Sequence, residues 1–143
     1  MIASILNVTD GLLLVKSVGA TIVFVLAGSQ VLLAARFTGA VKFGWMRPST
    51  ANRIHKMSGR VAIVLAVVVA ALCIAGPAGA TSPTRVALHS IFGALVFAIL
   101  ALKFLLLRVL RKGEKYMPSI GSAVFLTFGA IWITSVADFA AGR

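Results

Sequence analysis

Four long apolar runs, separated by short polar links, make up most of the chain. They lie near residues 12–35, 54–76, 84–107 and 118–140, and each is long enough for the roughly 20 residues that a helix needs to cross a bilayer. Because the links are short, neighbouring helices should run in opposite directions. The pattern predicts an all-α fold: an integral membrane up-down four-helix bundle that forms one transmembrane domain over residues 1–143.

The composition favours the same interpretation. The chain is 60% hydrophobic, has a mean hydropathy of +1.06 and contains only three acidic residues, which is more apolar surface than a small soluble domain can bury. No basic region precedes the first apolar run, and no small-residue cleavage site follows it promptly. We therefore expect the first helix to be retained and not removed as a signal peptide.

Positive charge is concentrated in two clusters, which hold eleven of the fourteen basic residues. The first comprises Arg36, Lys42, Arg47, Arg53, Lys56 and Arg60, and the second comprises Lys103, Arg108, Arg111, Lys112 and Lys115. In an up-down bundle both clusters lie at one face, which the positive-inside bias makes cytoplasmic, with both termini outside a bacterial inner membrane. We expect these clusters to contact anionic lipid headgroups. Nucleic acid is not expected, because no aromatic-interleaved basic surface accompanies the charge.

The only two histidines begin the same five-residue word, His-x-x-x-Gly. It reads HKMSG from His55 to Gly59 and HSIFG from His89 to Gly93. A glycine one helical turn from a histidine, on the same face, leaves a groove without a side chain beside the imidazole. Such a groove suits a flat cofactor such as haem, so these residues are the candidate cofactor-binding positions, with both histidines as candidate ligands of haem iron.

The two histidines should not bind the same haem. His55 lies 24 residues before Gly79 in the second link and His89 lies 10 residues after it, a stagger worth roughly 20 Å along antiparallel helices. Two axial nitrogens must be only about 4 Å apart. Each histidine therefore marks a separate half-site that needs another ligand, such as Met57 or Met117 for His55 or a partner subunit's residue for His89. An interfacial histidine without a ligand role remains the alternative for His55.

Small and polar residues inside the spans predict close helix packing. Glycines recur in every span, namely Gly19, Gly28, Gly59, Gly93, Gly121 and Gly129, and they let membrane helices approach one another. Gln30 in the first span is a candidate for a hydrogen bond between helices. Ser49 and Thr50 are candidate caps at the start of the second helix, and Pro118 suits the first turn of the fourth.

Three segments carry a resemblance to a known family: HKMSGRVAIVL, TRVALHSIFGALVFAILALKFLLLR and PSIGSAVFLTFGAIWITS. Together they resemble small bacterial four-helix membrane proteins related to cytochrome b561. The resemblance implies that b-type haem is held between helices and that electrons pass across or along the membrane. It matches His89 to the histidine of helix three and His55 to the one that opens helix two. The further histidine expected late in helix two is replaced here by Ala70 and Ala71.

Two functions follow from these observations. The first is a membrane electron-transfer subunit that binds haem b and exchanges electrons with quinone or a partner subunit. The second is a haem-free accessory or structural subunit of a larger respiratory or photosynthetic membrane complex, favoured by the missing histidine. A small transporter or lipid-binding protein is a third possibility, in which a proton-coupled or cation transporter is disfavoured because no span carries a central acid. We expect no enzymatic activity from the chain alone, since no nucleophile, base and orienting-acid set can be assembled.

Overall fold

A computed structural model describes the backbone of residues 2–42, 44–76, 82–109 and 116–137, and the side chains of these residues from position 11 to position 136. All regular elements within these ranges are helical. Four helices are long and apolar enough to cross a membrane, and large apolar side chains such as Val25, Val64 and Leu126 are exposed on the outside of the bundle, as lipid-facing residues are. The predicted all-α membrane four-helix bundle is confirmed.

The helices extend beyond the apolar runs that predicted them. Helix α1 spans Ile2–Phe37, α2 spans Pro48–Ala75, α3 spans Pro83–Phe104 and continues as a π-helical turn over Leu105–Val109, and α4 spans Met117–Trp132 and continues as a π-helical turn over Ile133–Ala137. Hydropathy alone placed the starts of α1 and α2 too late, because α1 begins with the mixed segment IASILNVTDG and α2 with the polar segment PSTANR, both outside the apolar runs. Residues 138–140, assigned by the pattern to the last helix, lie outside the described residues.

Proline begins the helices that follow links. Pro48 starts α2 and Pro83 starts α3, while Pro118 lies in the first turn of α4, as predicted. Proline is favoured there because its missing N–H needs no partner and its fixed φ suits a helix. The prediction that Ser49 and Thr50 cap α2 is wrong: both lie within the helix, and Arg47 is the N-cap.

Helix α1 lies between α2 and α4, and α3 packs on the other side of α4. The contacts with α2 run in opposite chain directions: Gly19 faces Val69, whereas Gln30, further along α1, bonds to Ser58. The helices are therefore antiparallel. Helices α2 and α3, although consecutive in the chain, scarcely contact each other within the described ranges, so the bundle is left open along this seam.

Close approach at glycines joins α1 to its neighbours, as the small-residue pattern predicted. A Cβ on Gly19 would lie 2.8 Å from Val69 Cγ2, and one on Gly28 would lie 3.3 Å from the Phe125 ring. Phe24 of α1 stacks between Phe125 and Trp132 of α4, with ring centroids 5.3 and 5.6 Å away. These contacts place α1 and α4 side by side at the centre of the bundle.

Candidate functional site

A cavity of about 600 Å³ lies between the four helices. It is bordered by residues 13–23 of α1, 66–74 of α2, 85–97 of α3 and 128–136 of α4. Its volume falls within the roughly 300–1,000 Å³ of sites for small molecules and cofactors. The cavity exists because α2 and α3 diverge, so the fourth side of the bundle is not closed by direct helix packing.

The cavity has a cationic end and an apolar end. Lys16 and Arg85 line the end near Gly76, and the Lys16 Nζ lies 2.8 Å from where a Cβ on Gly76 would be. The other end is lined by Val23 and by Val96, which is only 1% exposed. The lining of α1 runs from Leu13 to Val23, and the rise between these two residues gives the cavity a depth of about 15 Å. This gradient suits a ligand with an anionic end and a flat or extended apolar body.

His89 lies one helical turn deeper than Arg85, on the same face of α3. Its ring is half-buried, and Nδ1 is buried without a hydrogen-bond partner in the described part of the chain. A buried polar atom without a partner costs free energy and is characteristic of a site that receives a ligand. His89 is thus the residue that the structure singles out in the cavity.

Gly93 lies one turn further along α3 and also lines the cavity. A Cβ built on Gly93 would meet nothing within 4 Å, so helix packing does not require glycine here. The second His-x-x-x-Gly word therefore places an imidazole beside open space in the cavity, and the cofactor-binding role of its two residues stays a prediction.

The first His-x-x-x-Gly word has a different environment. His55 Nδ1 donates a 3.2 Å hydrogen bond to the backbone carbonyl of Gln30, and the rings of His55 and Phe37 meet edge to face with their centroids 5.3 Å apart. Gln30 Nε2 donates a 2.6 Å hydrogen bond to Ser58 Oγ, as expected of a polar residue that joins helices. A Cβ on Gly59 would lie 2.9 Å from Gln30 Oε1, so this glycine makes room for the amide.

The structure does not bring the two words together. His55 and Gly59 contact α1 at Gln30, whereas His89 and Gly93 line a cavity that contacts α1 over residues 13–23. The two histidines thus lie at different levels of antiparallel helices, as the sequence spacing predicts. A ligand role for His55 stays a prediction, and its Nδ1 is already used in holding α2 to α1.

Several cavity residues were not recognised as site residues from the sequence. Lys16 and Arg85 lie outside both basic clusters, and Cys73 lies within an apolar run, where it was interpreted as a small buried hydrophobic residue. All three residues line the cavity. Their position in the sequence could have identified Lys16 and Arg85, because the membrane face opposite the two basic clusters has few other charged residues. Ala70, where the resemblance implies a histidine, also lines the cavity, whereas Ala71 is exposed.

The π-helical turn at the end of α4 shapes one wall of the cavity. Thr134 and Ser135 lie in this turn and line the cavity, and their hydroxyls donate to the carbonyls of Ala130 and Ile131 at 2.8 and 2.6 Å. These bonds satisfy carbonyls where the α-helical pattern is interrupted. Single π turns within α-helices are frequent at functional sites, which agrees with the position of this one.

Comparisons with known proteins identify a family but no characterised relative. No curated protein and no solved structure shows significant similarity to the chain. The profile of a family of unknown function, DUF6529, matches residues 3–141. This match includes all four helices, both His-x-x-x-Gly words and every residue that lines the cavity. The four-helix membrane protein described above therefore belongs to the DUF6529 family.

Proposed function

We propose that the chain is a membrane electron-transfer subunit that binds one b-type haem in the cavity, with His89 as an axial ligand. The observation that carries the proposal is the environment of His89: a buried, partnerless Nδ1 beside the open groove at Gly93, in a cavity of about 600 Å³. In the terms of the sequence resemblance, this is the histidine matched to helix three of the cytochrome b561 pattern.

The cavity residues fit the chemistry of haem. A haem has a flat apolar ring, two anionic propionates and an iron that takes imidazole ligands, and it supplies reversible one-electron transfer. Lys16 and Arg85 at the cationic end would pair with the propionates. Val96 and Phe97 would contact the ring, and His89 would bind the iron. The apolar side chains of Val96 and Phe97 would exclude water from the haem and so help to set its reduction potential.

The open seam between α2 and α3 suits an electron carrier in the bilayer. Because these helices scarcely touch, a quinone or a transmembrane helix of a partner subunit could approach the cavity edge laterally. The chain then acts as a carrier between donor and acceptor and not as a catalyst alone. We place it in a bacterial inner membrane with both termini outside.

Optical spectroscopy tests this proposal. The full-length protein is expressed with a haem precursor, purified in detergent, titrated with haemin and measured in the oxidised and dithionite-reduced states. We expect a Soret band and reduced-state α and β bands of a b-type haem. A His89→Ala variant should lose them, since it removes the cavity's only imidazole among the described residues.

The second histidine supplies the matched control. His55→Asn retains an N–H donor for the Gln30 carbonyl and should keep the haem spectrum. Circular dichroism shows whether each variant is folded. A wild-type protein that is folded but gives no haem spectrum, even after haemin titration, contradicts the proposal, as does a spectrum that survives His89→Ala and is lost in His55→Asn.

A haem-free accessory subunit of a larger respiratory or photosynthetic complex is the second candidate. It is favoured by Ala70, whose methyl group lines the cavity where the resemblance implies a second axial histidine. If this alternative is correct, we expect the tagged protein to co-purify from native membranes with other membrane subunits and to bind no haemin. The spectrum and the subunit composition of one preparation thus distinguish the two functions.

A further inference from the structure

Three cations form a stripe along the exposed side of α2. Arg53, Lys56 and Arg60 are all exposed, and their spacing of three and four residues places them on one face of the helix. The opposite face of α2 contacts α1, through His55 and Val69. The cationic stripe therefore points away from the bundle, toward the surrounding bilayer.

The same face continues as an apolar stripe deeper into the membrane span. Val64 and Val68 are 62 and 49% exposed, and they follow Arg60 by four and eight residues, which places them on its face of the helix. The face thus has a cationic part near the start of α2 and an apolar part beyond it. That order matches a phospholipid lying along the helix, with its headgroup at the cations and its acyl chains along the valines.

Helix geometry allows the three cations to reach a common level of the membrane. The rise from Arg53 to Arg60 is about 10 Å, but each Cα–Cβ bond in a helix tilts toward the N-terminus. Long basic side chains in a membrane also extend toward the interface. Lys56 and Arg60 therefore reach back toward the level of Arg53, so three positive charges can meet one headgroup region. No acidic residue occurs among the described side chains, which are those of residues 11–42, 44–76, 82–109 and 116–136.

A neighbouring cation has a structural role instead. Arg36 at the end of α1 donates from Nε to the backbone carbonyl of Met46 at 2.9 Å, and its Nη2 donates to the same oxygen. These bonds hold the link before α2. The sequence groups Arg36 with the α2 cations in one cluster, but the structure separates a residue that orders the link from three that face the bilayer.

We infer that the stripe of Arg53, Lys56 and Arg60 is a binding site for a phospholipid with two phosphates in its headgroup, of which cardiolipin is the test ligand. Three cations at a common level complement a dianionic headgroup better than a monoanionic one. Basic surfaces next to transmembrane helices recognise such headgroups through the same electrostatics. The inference does not depend on haem binding, because none of the three stripe residues lines the cavity.

The test measures lipid binding to the full-length protein in detergent. Cardiolipin and phosphatidylglycerol are titrated at equal total headgroup charge, and phosphatidylcholine serves as the lipid without net charge. Native mass spectrometry measures the bound lipid. We expect cardiolipin to bind at least tenfold more tightly than phosphatidylglycerol. The Arg53→Gln/Lys56→Gln/Arg60→Gln variant should lose this preference, and glutamine retains helix propensity at the three positions.

A second triple variant controls for net charge. Lys42→Gln/Arg47→Gln/Arg108→Gln removes the same charge from exposed residues at the same face of the bundle, outside the stripe. We expect it to retain the cardiolipin preference. Equal losses in the two variants would show a diffuse electrostatic effect and overturn the site, as would equal affinity of the wild type for cardiolipin and phosphatidylglycerol.

Discussion

His55 Nδ1 donates a 3.2 Å hydrogen bond to the backbone carbonyl of Gln30. A carbonyl oxygen only accepts, so this contact places the proton of a neutral His55 on Nδ1. Beside it, the Gln30 amide bonds to Ser58 and occupies the space that Gly59 leaves. One His-x-x-x-Gly word is thereby explained by helix packing, whereas in the other the His89 Nδ1 is buried without a hydrogen-bond partner among the described residues.

Alanine substitutions at Gly59 and Gly93 should have different effects on stability and on haemin binding. Gly59→Ala places a methyl group 2.9 Å from Gln30 Oε1, so the amide must move and its bond to Ser58 weakens. We expect a loss of unfolding free energy of roughly 0.5–1.5 kcal/mol, the range of hydrogen bonds between membrane helices. Gly93→Ala meets no atom within 4 Å and should leave stability unchanged while weakening haemin binding at the groove.

Gly121→Ala is the control for both substitutions, because a Cβ there also meets nothing within 4 Å and the residue does not line the cavity. It should change neither stability nor haemin affinity. The measurements are SDS-induced unfolding followed by circular dichroism, and haemin titration. If Gly93→Ala unfolds the protein as readily as Gly59→Ala, the groove at Gly93 is part of a packing interface and our interpretation of the second word fails.

The contact between Gly19 and Val69 should show energetic coupling. A Cβ on Gly19 would lie 2.8 Å from Val69 Cγ2, and the β-branched valine has little rotamer freedom in a helix. Gly19→Ala should therefore cost about 1–3 kcal/mol of stability, as overpacking does. Val69→Ala removes the opposing methyl groups.

The double variant Gly19→Ala/Val69→Ala should consequently lose less unfolding free energy than the two single variants lose together, by about 0.5 kcal/mol or more. The free energies come from SDS unfolding of all four proteins in the cycle. Strict additivity would mean that the helices separate to relieve the clash, and that this glycine does not set the distance between α1 and α2.

Trp132 offers a direct report on the cavity. It lines the cavity and its Nε1 donates a 3.0 Å hydrogen bond to Thr21 Oγ1, while Trp45, the other tryptophan, is 78% exposed. In a Trp45→Phe background we expect blue-shifted emission that haemin quenches at stoichiometric concentration. The same titration after His89→Ala should need a higher haemin concentration. Quenching that is identical with and without His89 would argue for haemin bound elsewhere.

The architecture was readable from the sequence because membrane helices follow hydropathy directly. A run of apolar residues as long as 84–107 has few other structures available to it, and the small residues predicted the contacts at Gly19 and Gly59. The candidate caps Ser49 and Thr50 predicted that α2 begins ahead of its apolar run, but they placed its start slightly too late, since Pro48 was not recognised as the first helical residue.

The site was only partly readable. The His-x-x-x-Gly word located the groove at Gly93, but the word at Gly59 looks the same in sequence and is filled by Gln30. Which word faces a cavity depends on α2 and α3 diverging, a long-range property that no local pattern encodes. For the same reason the cationic rim of Lys16 and Arg85 appears only when residues from the first and third helices are brought together.

The charge distribution predicts how the chain is oriented in the membrane. Cys73 is the only cysteine, so a Cys73→Ser background accepts single reporter cysteines. Lys42, in the link before α2, and Thr84, in the first turn of α3, are both exposed and lie at opposite ends of α2 in the chain. Because basic links remain in the cytoplasm, a membrane-impermeant maleimide applied to intact spheroplasts should label Thr84→Cys and should label Lys42→Cys only after permeabilisation. Labelling of Lys42→Cys in intact spheroplasts would contradict this orientation. It would place the cationic stripe of α2 in the outer leaflet and the cationic end of the cavity on the cytoplasmic side. Electrons would then enter the proposed haem from the opposite face of the membrane.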